Sequence, residues 1–203
     1  MIGLAVVFVV AGGTSLAIAG QNASRPLRTL VLRASQVGPG YRVQQPNVQT
    51  AVQVGGGMSA CFRAPKGAAK GSRSFGRSYV KPGSPDVFDA LVQYRSTHAL
   101  AEIMTALRRV VNRCPSQEVK LATGVFARIQ VSRSTARHLL PGSFVLREVI
   151  SGTVGGHKYT SILVGIYQAK GRMLSLVFAG GKNLGATRAI VMHAAQESAL
   201  NLR

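Results

Sequence analysis

Catalysis and metal binding need imidazoles, carboxylates, thiols or activated hydroxyls at workable spacing, and this chain carries few such groups. Its histidines are His98, His138, His157 and His193; its acids are Asp86, Asp89, Glu102, Glu118, Glu148 and Glu197; its cysteines are Cys61 and Cys114. No set of these residues shows the ligand spacing of a metal site, and a lone histidine is ordinarily a surface or core residue. Paired-carboxylate chemistry has one candidate in the sequence, Asp86 with Asp89, against which a turn role for Asp86 after Pro85 is the stronger reading. Gly57-Met58-Ser59-Ala60-Cys61 resembles a nucleophile elbow, but Cys61 stands where the second glycine is needed and the strand-to-helix context is missing. Neither a P-loop nor a dinucleotide-binding glycine loop is present. No enzyme activity, cofactor or metal is expected from these residues.

The two cysteines point elsewhere, and their meaning depends on compartment. Residues 1–20 read MIGLAVVFVVAGGTSLAIAG, without a charge. The apolar run Ile2 to Ala11 has the length of a signal-peptide core, and Ala17-Ile18-Ala19 supplies the small residues a signal peptidase requires. Residues 1–19 are expected to be a cleaved signal peptide. The competing readings are an uncleaved anchor, since about 20 apolar residues just span a bilayer, and a buried core helix. The leading Lys or Arg of a signal peptide is missing, and the true start can lie upstream. In an oxidising compartment a lone pair of cysteines is expected to join. A Cys61–Cys114 disulfide would stabilise the fold by roughly 4 kcal/mol on the chain-entropy account. A buried free thiol is the alternative.

Lys and Arg number 25 against 6 acids, a net charge of +19. Such a charge favours polyanionic partners: nucleic acid, anionic lipid or acidic wall polymer. The stretch Arg63, Lys66, Lys70, Arg73, Arg77 and Lys81 holds no acid and is the candidate anion-binding patch. For any one of these residues a solvated loop charge is the competing reading. Nucleic acid is disfavoured. Aromatics are 6% with no tryptophan, thin for base stacking, and no recognisable nucleic-acid module accompanies the charge.

These groups must be positioned by a core, and 46% hydrophobic residues supply one. The clearest element is a helix in the stretch Thr97 to Pro115, where Pro115 blocks continuation. Leu100, Ile103, Met104, Leu107, Val110, Val111 and Cys114 share one face of it, and Ser96 or Thr97 caps its start. Before it come a short helix over 26–36, a turn at Gly38-Pro39-Gly40, candidate strands over 41–45, 50–54 and 74–80, and a strand over 86–96. After it come strands over 119–122, 124–132, 144–153, 158–168 and 172–179, the last two as a hairpin, and a final helix over 184–202. Short turns between consecutive strands make them antiparallel. The expected fold is α+β: a single antiparallel sheet with helices packed on one face and one disulfide. Residues 20–25 read as a linker, and 26–203 as one domain.

The order of these features resembles the PknH-like extracellular sensor domain family of actinobacterial serine/threonine kinases, which also occurs as stand-alone secreted proteins. The matching residues are Leu27-Arg28-Thr29-Leu30-Val31-Leu32, Gly38-Pro39-Gly40-Tyr41, Cys61, the Ala-rich helix Ala99 to Val111 ending at Cys114-Pro115, and the strands holding Ile162 to Ile166 and Leu174 to Phe178. The resemblance implies an exported sensor domain with a cleft over a curved sheet that takes an envelope ligand. The chain departs from the family in having one cysteine pair rather than two, and in lacking the tryptophan before the helix-terminal cysteine. No binding residue is carried over. The expectation is a secreted or envelope-anchored, non-enzymatic ligand-binding domain. Its partners would be anionic lipid, wall polymer or a small envelope ligand, with membrane association through residues 1–19. A cytosolic nucleic-acid-binding protein and, more weakly, an unrecognised hydrolase are the alternatives.

Overall fold

The computed structural model describes residues 25–44, 65, 67, 70–113, 115–120, 126–134, 138–154 and 156–202. Its strands are β1 (Arg42–Gln44), β2 (Arg73–Val80), β3 (Asp86–Gln93), β4 (Ser116–Lys120), β5 (Phe126–Ser134), β6 (Phe144–Val154), β7 (His157–Lys170) and β8 (Met173–Gly181). The helices are α1 (Arg25–Leu30), α2 (Ala34–Val37), α3 (Thr97–Arg113) and α4 (Leu184–Asn201). All eight strands form one antiparallel sheet in the order β1-β2-β3-β8-β7-β6-β5-β4. After β3 the chain crosses through α3 to the far edge. It then walks back strand by strand until β8 pairs with β3, Phe88 opposite Phe178.

α3 forms where the periodicity predicts. The Ser96 Oγ accepts from the Ala99 N–H at 3.1 Å, capping the first turn. Leu100, Ile103, Met104, Leu107 and Val110 are buried, packed on Phe88, Ala90 and Val92 of β3, Leu174 and Phe178 of β8, Tyr167 of β7 and Leu146 of β6. The alternate residues of the same strands serve the other face. Val87, Ile162, Val164, Ile166, Val177 and Ala179 pack against Val191, Ala194 and Ala195 of α4 and against Leu32, Val37 and Tyr41. The two long helices therefore lie on opposite faces, which corrects the expectation of helices on one face. The reason is in the strands: Val87-Phe88 and Val177-Phe178-Ala179 are buried at consecutive positions. A strand buried on both sides needs cover on both sides.

Each helix fits its face by different means. α4 meets the sheet through small side chains, Thr187, Ala194, Ala195, Ser198 and Ala199, which allow close approach. Its start is capped by the Asn183 Oδ1, accepting from the Ala186 N–H at 3.0 Å. Under α3, Gly165 leaves room for Phe178, since a Cβ there would lie 2.5 Å from that ring. Phe178 meets Tyr167 edge-on at 5.5 Å, and Tyr167 stacks on Phe144 at 4.7 Å.

The single helix expected over 26–36 is two short ones, broken at Val31 to Arg33. The break exposes the peptide groups of Leu32, and the sheet takes them. Asp89 Oδ2 accepts the Leu32 N–H at 2.8 Å, while the Tyr79 hydroxyl and the Arg77 guanidinium donate to the Leu32 carbonyl. Expectations for residues 1–19, for the linker up to Ser24, for the strand over 50–54 and for Cys61 and Cys114 lie outside the described residues, and with them the disulfide.

Candidate functional site

β4, β5 and the ends of β6 and β7 nearest their connecting turn lie beyond the α4 packing, and their α4 side carries a polar groove. Register builds its floor. Glu118 on β4 stands opposite Arg128 on β5, Arg128 opposite Ser151 on β6, and Ser151 opposite Thr160 on β7. Residues directly opposite in a sheet share a face, so these four side chains form one row across four strands, about 14 Å long at three strand spacings. Thr153 and Lys158, also opposite each other, extend the row toward the β6–β7 turn. The groove over these residues is broadly open to solvent and holds about 570 Å³ of accessible space. Glu118, Arg128, Thr153, Lys158 and Thr160 are exposed and Ser151 is half-buried. Glu118 and Arg128 form an ion pair at 3.1 Å that uses one guanidinium nitrogen. Gly152 and Tyr159 also line the cavity, but alternation turns Tyr159 to the α3 face, where it packs on Ile129, Val131 and Ile150.

The groove's described side chains offer three hydroxyls, two cations and one carboxylate. Sequence reading missed it because each residue is an ordinary exposed strand position. The available signal was the alternation Ser151/Thr153 and Lys158/Thr160 on adjacent strands, and only register joins them.

The expected anion patch is placed in part. Arg63 and Lys66 lie outside the described residues. Lys70 and Arg73 are exposed at the start of β2, and Arg77 and Lys81 are half-buried. Arg73, Arg77 and Lys81 fall on one side of the β2 line, each about 13 Å from the next. Arg77 is engaged inside the fold. Its Nη1 donates to the Leu32 carbonyl at 3.4 Å, and its guanidinium sits 5.4 Å from the Phe75 ring centre, with Arg28 at 5.3 Å from the same ring. The Lys81 ammonium lies 5.9 Å from the centre of the Tyr41 ring. Lys70 and Arg73 are the exposed members at the open end of that line.

The remaining candidates do not assemble. Asp86 and Asp89 are three apart on β3 and so face opposite sides of the sheet. Asp86 is exposed at the strand start, whereas Asp89 is fully buried. Burial pushes the Asp89 carboxyl up to about 7, against the pull of the Leu32 N–H, the Ser198 hydroxyl and the Arg77 charge. Glu148 is buried on the α3 side of β6, and burial raises it to about 7; its Oε1 has no hydrogen-bond partner among the described residues. His138, His157 and His193 are exposed, and His98 contacts Glu102 at 3.6 Å on the outside of α3. Among the described residues no three histidine, cysteine or acidic side chains gather as a metal site. Among them, too, no helix is long and apolar enough to cross a membrane.

The architecture has a solved counterpart. The chain is similar in structure to the extracellular domain of PknH from Mycobacterium tuberculosis. The superposition covers 92% of this chain and 98% of that domain, with a TM-score of 0.58 and 13% sequence identity. At that identity the likeness is one of fold. No protein-family model matches the chain, and no curated protein does. The early Leu27–Tyr41 segment, the strand entering α3 and the β7–β8 hairpin, which carry the sequence resemblance, all lie within the described fold.

Proposed function

We propose that the chain is an extracytoplasmic, non-enzymatic, sensor-like ligand-binding domain whose partners are anionic components of the cell envelope. The observation that carries this reading is the fold shared with the PknH extracellular domain along nearly the whole of both chains. The apolar residues 1–19, the single cysteine pair and the +19 charge support the same compartment and partner class. In this reading residues 1–19 direct export, Cys61 and Cys114 form a disulfide, and the ligand is held without being transformed. Lys70 and Arg73, with Arg63 and Lys66, strengthen adhesion to anionic lipid or wall polymer through counterion release.

The test is the intact mass of the protein from its native host, before and after reduction and alkylation. Export predicts a chain lacking residues 1–19 whose thiols alkylate only after reduction. Protected thiols on a full-length chain that fractionates with membranes would assign residues 1–19 as an anchor and keep the reading. A full-length chain with two freely alkylated thiols would overturn it.

A further inference from the structure

We infer that the groove over β4 to β7 binds an extended acidic oligosaccharide, laid across the strands with successive rings over Glu118, Arg128, Ser151 and Thr160. The inference rests on the ligand-binding reading above and names the ligand class.

Spacing is the first argument. Side chains directly opposite on neighbouring strands repeat at about 4.8 Å, close to the rise per ring of an extended pyranose chain. The four-strand row therefore presents one polar side chain per ring. A lipid head group or a single phosphate would use one or two of these positions. Side-chain chemistry is the second. Ser151, Thr153 and Thr160 both donate and accept, as sugar hydroxyls do, and the Glu118 carboxylate accepts from them. Charge is the third. Arg128 keeps donors beyond the one spent on Glu118, and Lys158 stands across from Thr153 at the other end. Two cations against one paired acid suit a sugar bearing carboxylates and disfavour a neutral one. Among the described side chains that line the groove none turned to this face is aromatic, and hydrogen bonds and charge are the recognition they offer.

The test uses the full chain, titrated with tetragalacturonate and, separately, with neutral cellotetraose and a short poly(glycerol phosphate), read by calorimetry. The expected result is that tetragalacturonate binds at least tenfold more tightly than cellotetraose. Arg128→Gln with Lys158→Gln should lower its affinity at least tenfold. Thr160→Val should lower it severalfold, and Arg109→Gln on the exposed side of α3 should leave it unchanged. All four positions are exposed, and circular dichroism verifies folding of each variant. The inference fails if poly(glycerol phosphate) binds and tetragalacturonate does not, or if Arg109→Gln weakens saccharide binding as much as the groove variants do. A parallel assay on host envelope fragments separates the two readings. Retention on fragments without tetragalacturonate binding overturns the saccharide inference alone, and loss of both overturns the ligand-binding reading with it.

Discussion

Asp89 holds together parts of the chain more than fifty residues apart. Its carboxylate takes the Leu32 N–H where α1 breaks into α2, and it faces Arg77 and Tyr79 of β2 and Ser198 of α4. On the other side of the sheet Glu148 is buried beneath α3 beside Tyr167. Both carboxyls titrate near 7 in the folded chain, against ordinary values of 3.8 and 4.5. A folded-state pKa above the unfolded one means the unfolded chain ionises first as pH rises. Stability is therefore full below about pH 4, falls through the interval up to about 7, and levels off above it. At 1.36 kcal/mol per unit, each group accounts for up to about 3 to 4 kcal/mol. Urea unfolding should show the chain more stable at pH 5 than at pH 8, and Glu148→Gln should flatten that difference by the Glu148 share. A stability that rises from pH 5 to pH 8 would contradict this. The sequence gives no hint of these burials. Asp86 and Asp89 look like a pair in the one-letter code, and strand alternation sends them to opposite faces.

Among the elements, α3 and the β7–β8 hairpin were legible because each carries a strong period. The seven-residue apolar face of α3 was read from three- and four-residue steps, and five of its members are buried. The hairpin was read from two β-rich runs around Lys170-Gly171, and the strands pair up to Lys170 opposite Met173. Periodicity shows that a helix has an apolar face but not which side of a sheet receives it. The clue to the opposite placement was the β3 run Val87 to Val92, which buries both of its faces. α4 was harder to read in detail, because its contact surface is small and mixed; Val191, Ala194 and Ala195 are buried, while Ile190 and Leu202 are half-buried. Truncating α3 at its centre should be costly. Ile103→Ala leaves a cavity under fully buried packing and is expected to destabilise by about 2 to 5 kcal/mol in equilibrium unfolding. A cost below about 1 kcal/mol would mean that α3 is not seated on this core.

For the whole molecule, the sheet divides in two. β3, β8, β7 and the start of β6 are covered on both faces and supply the core. β4, β5 and the ends of β6 and β7 nearest their turn carry polar side chains past α4, and the groove lies there. Composition suggests a polyanionic partner, and the sequence puts the candidate patch on and beside β2, where Arg77 proves to hold the α1–α2 break. The groove was not legible because it exists only in the register of four strands, two of them more than thirty residues apart in the chain. The proposed function has this domain bind an anionic envelope component through surface side chains. Its most direct measurement is co-sedimentation of the chain with host envelope fragments over a series of salt concentrations. Retention is expected at low salt and should decline steadily as salt rises, with Arg128→Gln and Lys158→Gln releasing the protein at lower salt than wild type. A chain that stays in the supernatant at low salt, or one retained equally at every salt concentration with and without those two cations, would contradict it.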